Sequence, residues 1–351
     1  MRFGRSIGLL AALASAFSIG GLLSATVTTK SYSESYPAVV CPPTIAGLTS
    51  QISLASKKTL FQSLQNRTTK TFPVKVLRLP VIQDSLLFNS EGVTPVVWQS
   101  KASSWAGGAI CTGPATSQWF VGGAADITTR GRLIIVNSGL SDAVVDVHSF
   151  TENGKQSVRT ITVASKNFIV ISTDSLAPGD KYLTVHVVPR SGRVNAFLID
   201  EQSKGLSSLG GDLVNFAPTA SKSILIPAIP HQIKERATAL PHTLRILTPG
   251  EVDASITAEV LSADGVFVPV GLTSRSISAG VVTEFEFSPT ITSTVFAVRI
   301  TSTEPAVAAI KSTVIVSGKR DFVWSTSAPE LKPLTMAITG LSPLISFVGE
   351  R

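Results

Sequence analysis

The side chains able to do acid–base or nucleophilic chemistry are few in this 351-residue chain: four histidines, two cysteines and 23 acidic residues. Histidine is the natural proton carrier and metal ligand near neutral pH. His148 and His186 lie in alternating apolar stretches, "VVDVHSF" and "LTVHVV", where Val145, Val147, Val185 and Val187 take the inward parity and the histidines the outward one. They read as solvated outer-face residues. His231 and His242 each follow a proline in a connecting segment. A paired metal or proton-transfer role is the alternative there to a structural one.

Nucleophile motifs are missing. No G-x-S-x-G elbow occurs, since Gly205-Leu206-Ser207-Ser208-Leu209-Gly210 has the wrong spacing for a strained turn after a strand. No lysine has a serine three residues before it, and H-E-x-x-H and the phosphate-cradling G-x-x-x-x-G-K are absent. Cys111 has no nearby histidine to activate it, and neither cysteine has a second Cys or His at metal-ligand spacing. No catalytic residue, metal or cofactor is therefore assigned. The acids are scattered, and the repeating pair Asp142 and Asp253 follows turn glycines, where Asp bonds to backbone.

Tryptophan supplies the one concentrated signal. Trp98, Trp105 and Trp119 fall within 22 residues that include Cys111, while Trp324 stands apart. Aromatic platforms stack on sugar faces, which makes the three a candidate ligand contact. The competing reading is a core tryptophan packed beside a disulfide.

The elements that position these residues are strands. Short β-branched or aromatic pieces bounded by turn residues, "AVVCPP", "QISLAS", "PVKVLRLP", "TPVVWQS" and "SQWFV", come first. Residues 48–64 allow a helix, but their apolar spacing is irregular. A repeat follows at an offset of 111: Leu133 matches Leu244, Gly139 matches Gly250, Asp142-Ala143 matches Asp253-Ala254, and Gly154 matches Gly265. Val194 and Ala196 match Val307 and Ala309 at 113. In the repeat His148 corresponds to Glu259 and His186 to Arg299, which supports the solvated reading of both histidines.

Two copies of about 110 residues with alternating strands predict an all-β protein: two immunoglobulin-like β-sandwiches, at 38–218 with extra N-terminal strands and at 219–351 with a C-terminal strand. A Gly- and Pro-rich passage between them reads as a hinge region.

Ahead of them, Arg2 and Arg5 precede an uncharged run, residues 7–27. As a helix it would rise about 31 Å and match a bilayer core. The expected layout is a cytoplasmic 1–6, a transmembrane signal anchor at 7–27 and a tether at 28–37, with the bulk extracytoplasmic. A cleaved signal peptide ending at Leu23-Ser24-Ala25 is the alternative, and would make the chain secreted. In an exported chain Cys41 and Cys111 would form a disulfide closing a loop of about 70 residues, worth roughly 4 kcal/mol. Two buried thiols are the other reading.

Thirty basic against 23 acidic residues leave a net charge of +7. Lys57, Lys58, Arg67, Lys70, Lys75 and Arg78 fall in a stretch without acids, a candidate basic patch for headgroups or an acidic wall polymer, or a solvated face. No nucleic-acid module accompanies it.

The order of anchor, "VVCPP", "SSWAGGAICTGP", "GGAADITTRGRLIIVNSGLSDA", "VNAFLIDE", "SILIPA" and "RDFVWSTSAPE" resembles a family of uncharacterised membrane-anchored secreted proteins of high-GC Gram-positive bacteria, classified only as a domain of unknown function. The likeness runs from about Val39 to Glu330. Members tend to have Cys close behind Trp, whereas five residues separate Trp105 from Cys111 here. The resemblance carries over no catalytic residue. It implies a role near envelope glycosyltransferases.

The expectation is thus a non-enzymatic, membrane-tethered scaffold or accessory in cell-envelope glycan assembly, with an envelope glycosyltransferase or wall polymer as partner. The alternatives are a carbohydrate-binding module and, third, an envelope hydrolase. Converging carboxylates of perturbed pKa in a pocket would speak for the hydrolase.

Overall fold

A computed structural model describes residues 39–349, apart from 55–58, 67–68, 72–77, 82, 90–93, 103, 218, 235–237, 332–335 and 338–345. The expected anchor and tether lie outside the described residues. Among those described, no helix is long and apolar enough to cross a membrane. The described chain is all-β with antiparallel pairing, and its helical content is one 3₁₀ turn at Thr173–Ser175.

The first block holds β1 (Val39–Cys41), β2 (Thr49–Ser53), β3 (Leu60–Ser63), β4 (Lys70–Thr71), β5 (Arg78–Val81), β6 (Leu86–Asn89), β7 (Val96–Lys101) and β8 (Trp105–Ile110). They build two four-stranded sheets, β1-β6-β3-β4 and β5-β2-β7-β8. Within residues 48–64, where a helix was the alternative, Thr49–Ser53 is β2 and Leu60–Ser63 is β3. The extra N-terminal strands expected of the first sandwich thus carry a core of their own, with Ile52, Leu54, Leu87 and Phe88 fully buried. Cys41 and Cys111 are disulfide-bonded with Cα atoms 4.6 Å apart, and Val40 pairs with Thr112 beside the bond.

The second block holds β9 (Gln118–Val121), β10 (Arg132–Asn137), β11 (Ala143–Thr151), β12 (Gly154–Lys155), β13 (Arg159–Val163), β14 (Asn167–Ser172), β15 (Leu183–Ser191), β16 (Val194–Lys204) and β17 (Ser207–Val214). The third holds β18 (Ser221–Pro230), β19 (Ile233–Lys234), β20 (Thr238–Ala239), β21 (His242–Leu247), β22 (Ala254–Ser262), β23 (Gly265–Phe267), β24 (Arg275–Ile277), β25 (Thr283–Phe287), β26 (Val295–Val316) and β27 (Lys319–Thr326).

Pairing in the third block follows that in the second. β10 lies between β14 and β16, and β21 lies between β25 and the second half of β26. β11 pairs with β12, β13 and β15, and β22 pairs with β23, β24 and the first half of β26. Gly192, at φ +79, turns the chain between β15 and β16, whereas β26 runs through 22 residues without a break. Asp142 accepts the N–H of Ser165 and Asp253 that of Ala279, so both reach a neighbouring turn at corresponding places.

The run "RLIIVN" has no polar alternation because both faces of β10 are covered. Leu133 and Ile135 enter the second block's core, and Ile134 and Val136 enter the first block's. The corresponding outer face of the third block, with Arg245, Leu247, Ala309, Lys311 and Trp324, packs on the second block. Where the first contact has Ile134 and Ile199, the second has Arg245 and Lys311. Buried cations there require partners. Arg245 bonds to the Gly123 and Leu183 carbonyls and pairs with Glu284, and Lys311 donates to Gln202 at 2.7 Å.

A candidate binding groove where three sheet edges meet

Three terminal strands converge at one place: β8 of the first block, β17 of the second and β27 of the third. Each has a free edge, and exposed edges invite unwanted pairing. Here two aspartates close most of them. Asp212 accepts the N–H of Leu213 at 2.8 Å and of Trp324 at 2.8 Å, one on each oxygen. Asp321 accepts the N–H of Gly211 at 3.0 Å and of Phe322 at 2.8 Å, and that of Ala106 as well. Five main-chain donors on three strands are satisfied by two carboxylates.

Close approach of the strands depends on glycine. A Cβ on Gly107 would stand 2.5 Å from Asp212 Oδ1, and one on Gly211 would stand 2.7 Å from the Trp105 ring. Burial pushes the Asp212 carboxyl well above the ordinary carboxylate range, against the pull of its two N–H donors. Burial also raises Asp321, again opposed by N–H donors. Beneath them Trp324 gives its indole N–H to Asp200 at 2.9 Å, and burial lowers the Lys311 ammonium.

Beside this junction opens a groove of about 940 Å³. One wall is Trp98 and the β8 strand, and the other includes Val316, Lys319 and Val323, with Pro230 nearby. The Trp98 indole lies over Gly108, where a Cβ would meet the ring at 2.9 Å, and its N–H donates to Ser53 at 3.1 Å. Trp98 keeps part of its surface exposed.

The three sequence-predicted tryptophans are not brought together. Trp98 and Trp105 line the groove, but Trp105 is buried against Gly211 and its indole N–H has no acceptor among the described residues. Trp119 belongs to the second block's core and stacks on His186 with ring centroids 3.7 Å apart. Of the predicted basic patch, Lys70 and Arg78 are exposed but sit on different sheets; Lys57, Lys58, Arg67 and Lys75 lie outside the described residues.

The histidines differ from expectation. His148 faces His186 across β11 and β15, but both are half-buried rather than solvated, because Trp119 covers His186. Burial, then the neighbouring His148, lowers His186 to about 4. His231 and His242 do meet, Nδ1 to Nε2 at 3.1 Å, inside the third block's apolar core, and Ser312 completes the chain at 2.8 Å. Burial takes His242 down to about 4. Among the described residues no group of three or more His, Cys, Asp or Glu could hold a metal ion. Asp212, Asp321, Arg245 and Lys311 escaped sequence reasoning; the available signal was a charge inside an apolar strand, as in "GDLV" and "RDFVW".

Among curated proteins none matches this chain. A solved structure described as "Crystal Structure of Thermotoga maritima 1070" aligns at 15% identity over 30% of this chain and 94% of that one, with a TM-score of 0.27, too low to carry an argument. The sequence model of a family of unknown function, DUF5719, matches residues 98–340, more than half of the chain and including the groove tryptophans Trp98, Trp105 and Trp324 as well as β17 and β27. The chain belongs to this family of unknown function.

Proposed function

We propose that this protein is a non-enzymatic scaffold or accessory of cell-envelope glycan assembly, held outside the cytoplasm by the apolar segment 7–27, or released if that segment is cleaved. We read its two matching halves as immunoglobulin-like sandwiches produced by duplication, a reading supported by their shared pairing order. The observation that carries the functional reading is the state of the groove's carboxylates. Asp212 and Asp321 have perturbed pKa values and converge on a pocket, which is what a hydrolase would offer. Their oxygens are instead committed to main-chain N–H groups that hold three blocks together. An acid that must keep those bonds is poorly placed to trade protons with a substrate. The groove offers shape without a free acid, which suits binding.

The test is photo-cross-linking in intact cells from a benzophenone residue at Trp98, with one at the fully exposed Leu206 as control. An envelope glycosyltransferase or its polymer product should be recovered from the groove position alone. Identical adducts at both positions would remove the groove from the function. Release of wall fragments by the purified protein, lost in Asp321→Asn of unchanged melting temperature, would replace the proposal with a hydrolase.

A second reading, contact with wall carbohydrate, is favoured by the partly exposed Trp98 indole in the groove wall. Calorimetric titration with wall oligosaccharides should then show heat that Trp98→Ala abolishes and Trp119→Phe leaves intact.

A further inference from the structure

We propose that the groove takes an extended polypeptide segment of a partner, added as a strand to the free edge of β8. This rests on the scaffold reading and names the chemistry of its partner. The register decides which groups of β8 are open. Cys111 donates its N–H to the Pro95 carbonyl, so in the β7–β8 ladder the pairs 95/111, 97/109 and 99/107 are the hydrogen-bonded ones. Ala106, Gly108 and Ile110 therefore turn their N–H and C=O to the opposite side, away from β7. Ala106 N–H is taken by Asp321. One step past the strand, Thr112 exchanges both bonds with Val40.

Between these two stops, Gly108 and Ile110 are left with main-chain groups that have no partner among the described residues, and both line the groove. Two open residues on one edge lie about 7 Å apart, the repeat of an extended peptide, whose own N–H and C=O recur at that spacing. The outward N–H groups of Gly211 and Leu213 in β17 and of Phe322 and Trp324 in β27 are taken by aspartate, whereas those of Gly108 and Ile110 in β8 have no partner among the described residues and lie beside glycines that cannot shield them.

Side chains of the added segment would meet an apolar surface on both sides. Trp98 and Ile110 stand on one wall and Val316 and Val323 on the other, with Ile110 41% and Val316 57% exposed. The charges at the rim are basic. Lys101 and Lys319 are the basic residues of the groove's lining, while Asp212 is buried and Asp321 half-buried, and burial raises both carboxyls. The segment that fits is short, alternates small apolar residues and carries an acidic residue at its flank.

The experiment uses the full chain in detergent and an acetylated hexapeptide of alternating valine and alanine with glutamate at each end. Saturable binding followed by tryptophan fluorescence is expected, with slowed amide exchange at Gly108 and Ile110 and none added at Ala109. N-methylation of the peptide amides at alternate positions should weaken binding at least tenfold in one parity and little in the other. Ile110→Pro, which deletes an edge N–H that β7 does not use, should weaken it tenfold or more. If that variant misfolds, the N-methyl series still decides. Binding without protection at Gly108 and Ile110, equal effects of both N-methyl parities, or protection by wall oligosaccharide and none by peptide would each overturn the proposal. A glycosyltransferase still captured from position 98 under those outcomes would leave the scaffold reading standing.

Discussion

Asp212 and Trp324 are joined across 112 residues of sequence by a 2.8 Å bond from the tryptophan main-chain N–H to the aspartate Oδ2. The bond links the edge of β17 to the edge of β27, where no strand ladder forms between them. Replacing Asp212 by Ala orphans two N–H groups, those of Leu213 and Trp324. At one to two kcal/mol per buried unpaired donor, about 2 to 4 kcal/mol of stability should be lost in urea unfolding. The pH dependence has a definite sign. Because burial raises the folded carboxyl above its unfolded value, its contribution is fully present below about pH 4 and declines as pH rises through the folded pKa. Asp212→Ala should lack that decline, and a parent-like slope in the variant would contradict the raised carboxyl.

Gly211 sits under Trp105 with no room for a methyl group. Gly211→Ala would place Cβ 2.7 Å from the ring and should cost about 1 to 3 kcal/mol through overpacking. Gly250 has nothing within 4 Å of a built Cβ, and Gly250→Ala should be nearly neutral. Equal melting temperatures for the two variants would show that β17 can move away from Trp105.

His242 is neutral in the fold, with a pKa near 4 caused by burial and then by His231. A lowered histidine contributes stability that is complete above about pH 6.5 and is lost as pH falls toward 4, here about 3 kcal/mol in all. His242→Phe should flatten thermal stability over that window. The Asp212 slope runs the other way, so each variant is compared with the parent at every pH. A slope unchanged in His242→Phe would assign the acid sensitivity elsewhere.

Arg245 is 3% exposed and holds Gly123, Leu183 and Glu284 at the contact between the second and third blocks. Arg245→Ala removes the partner of Glu284 and the guanidinium donor to the Gly123 and Leu183 carbonyls, the former keeping the Leu183 N–H, and should cost about 3 to 5 kcal/mol. Arg245→Lys should recover little, because one ammonium cannot reproduce the guanidinium fork. Full recovery by lysine, read in chemical unfolding, would reduce the site to simple charge pairing.

The Cys41–Cys111 bridge spans 70 residues and closes the first block. Cys41→Ser should lower stability by about 2 to 5 kcal/mol. A melting temperature equal to the parent's, with and without reductant, would show that the core around Phe88 and Leu87 suffices alone.

Much of the fold was legible in the chain because its causes are local. Alternation in "VVDVHSF" and "SITAEVL", turn glycines at 139, 154, 250 and 265, and the constant offset between them report pleat, face and hairpin directly. The cysteine pairing was legible for a different reason: two cysteines admit a single intrachain bond. The candidate site was not legible, since it is made by edges. Which edges of β8, β17 and β27 meet depends on how three blocks pack, and hydrophobic periodicity says which residues turn inward but not which surface covers the outer face. Ile134 and Arg245 occupy matching positions, one covered by an apolar sheet and the other by carbonyls and a carboxylate. By residue type alone, an arginine at that position is expected to face water. Trp98, Trp105 and Trp119 are near one another in sequence yet end in a groove wall, a strand junction and a core. Type and spacing determined the strands and the recurring hairpin pattern; the desolvation of Asp212 and the pairing of His231 with His242 were decided only when distant segments removed one another from water, and the open edge at Gly108 and Ile110 only by which strands paired beside it.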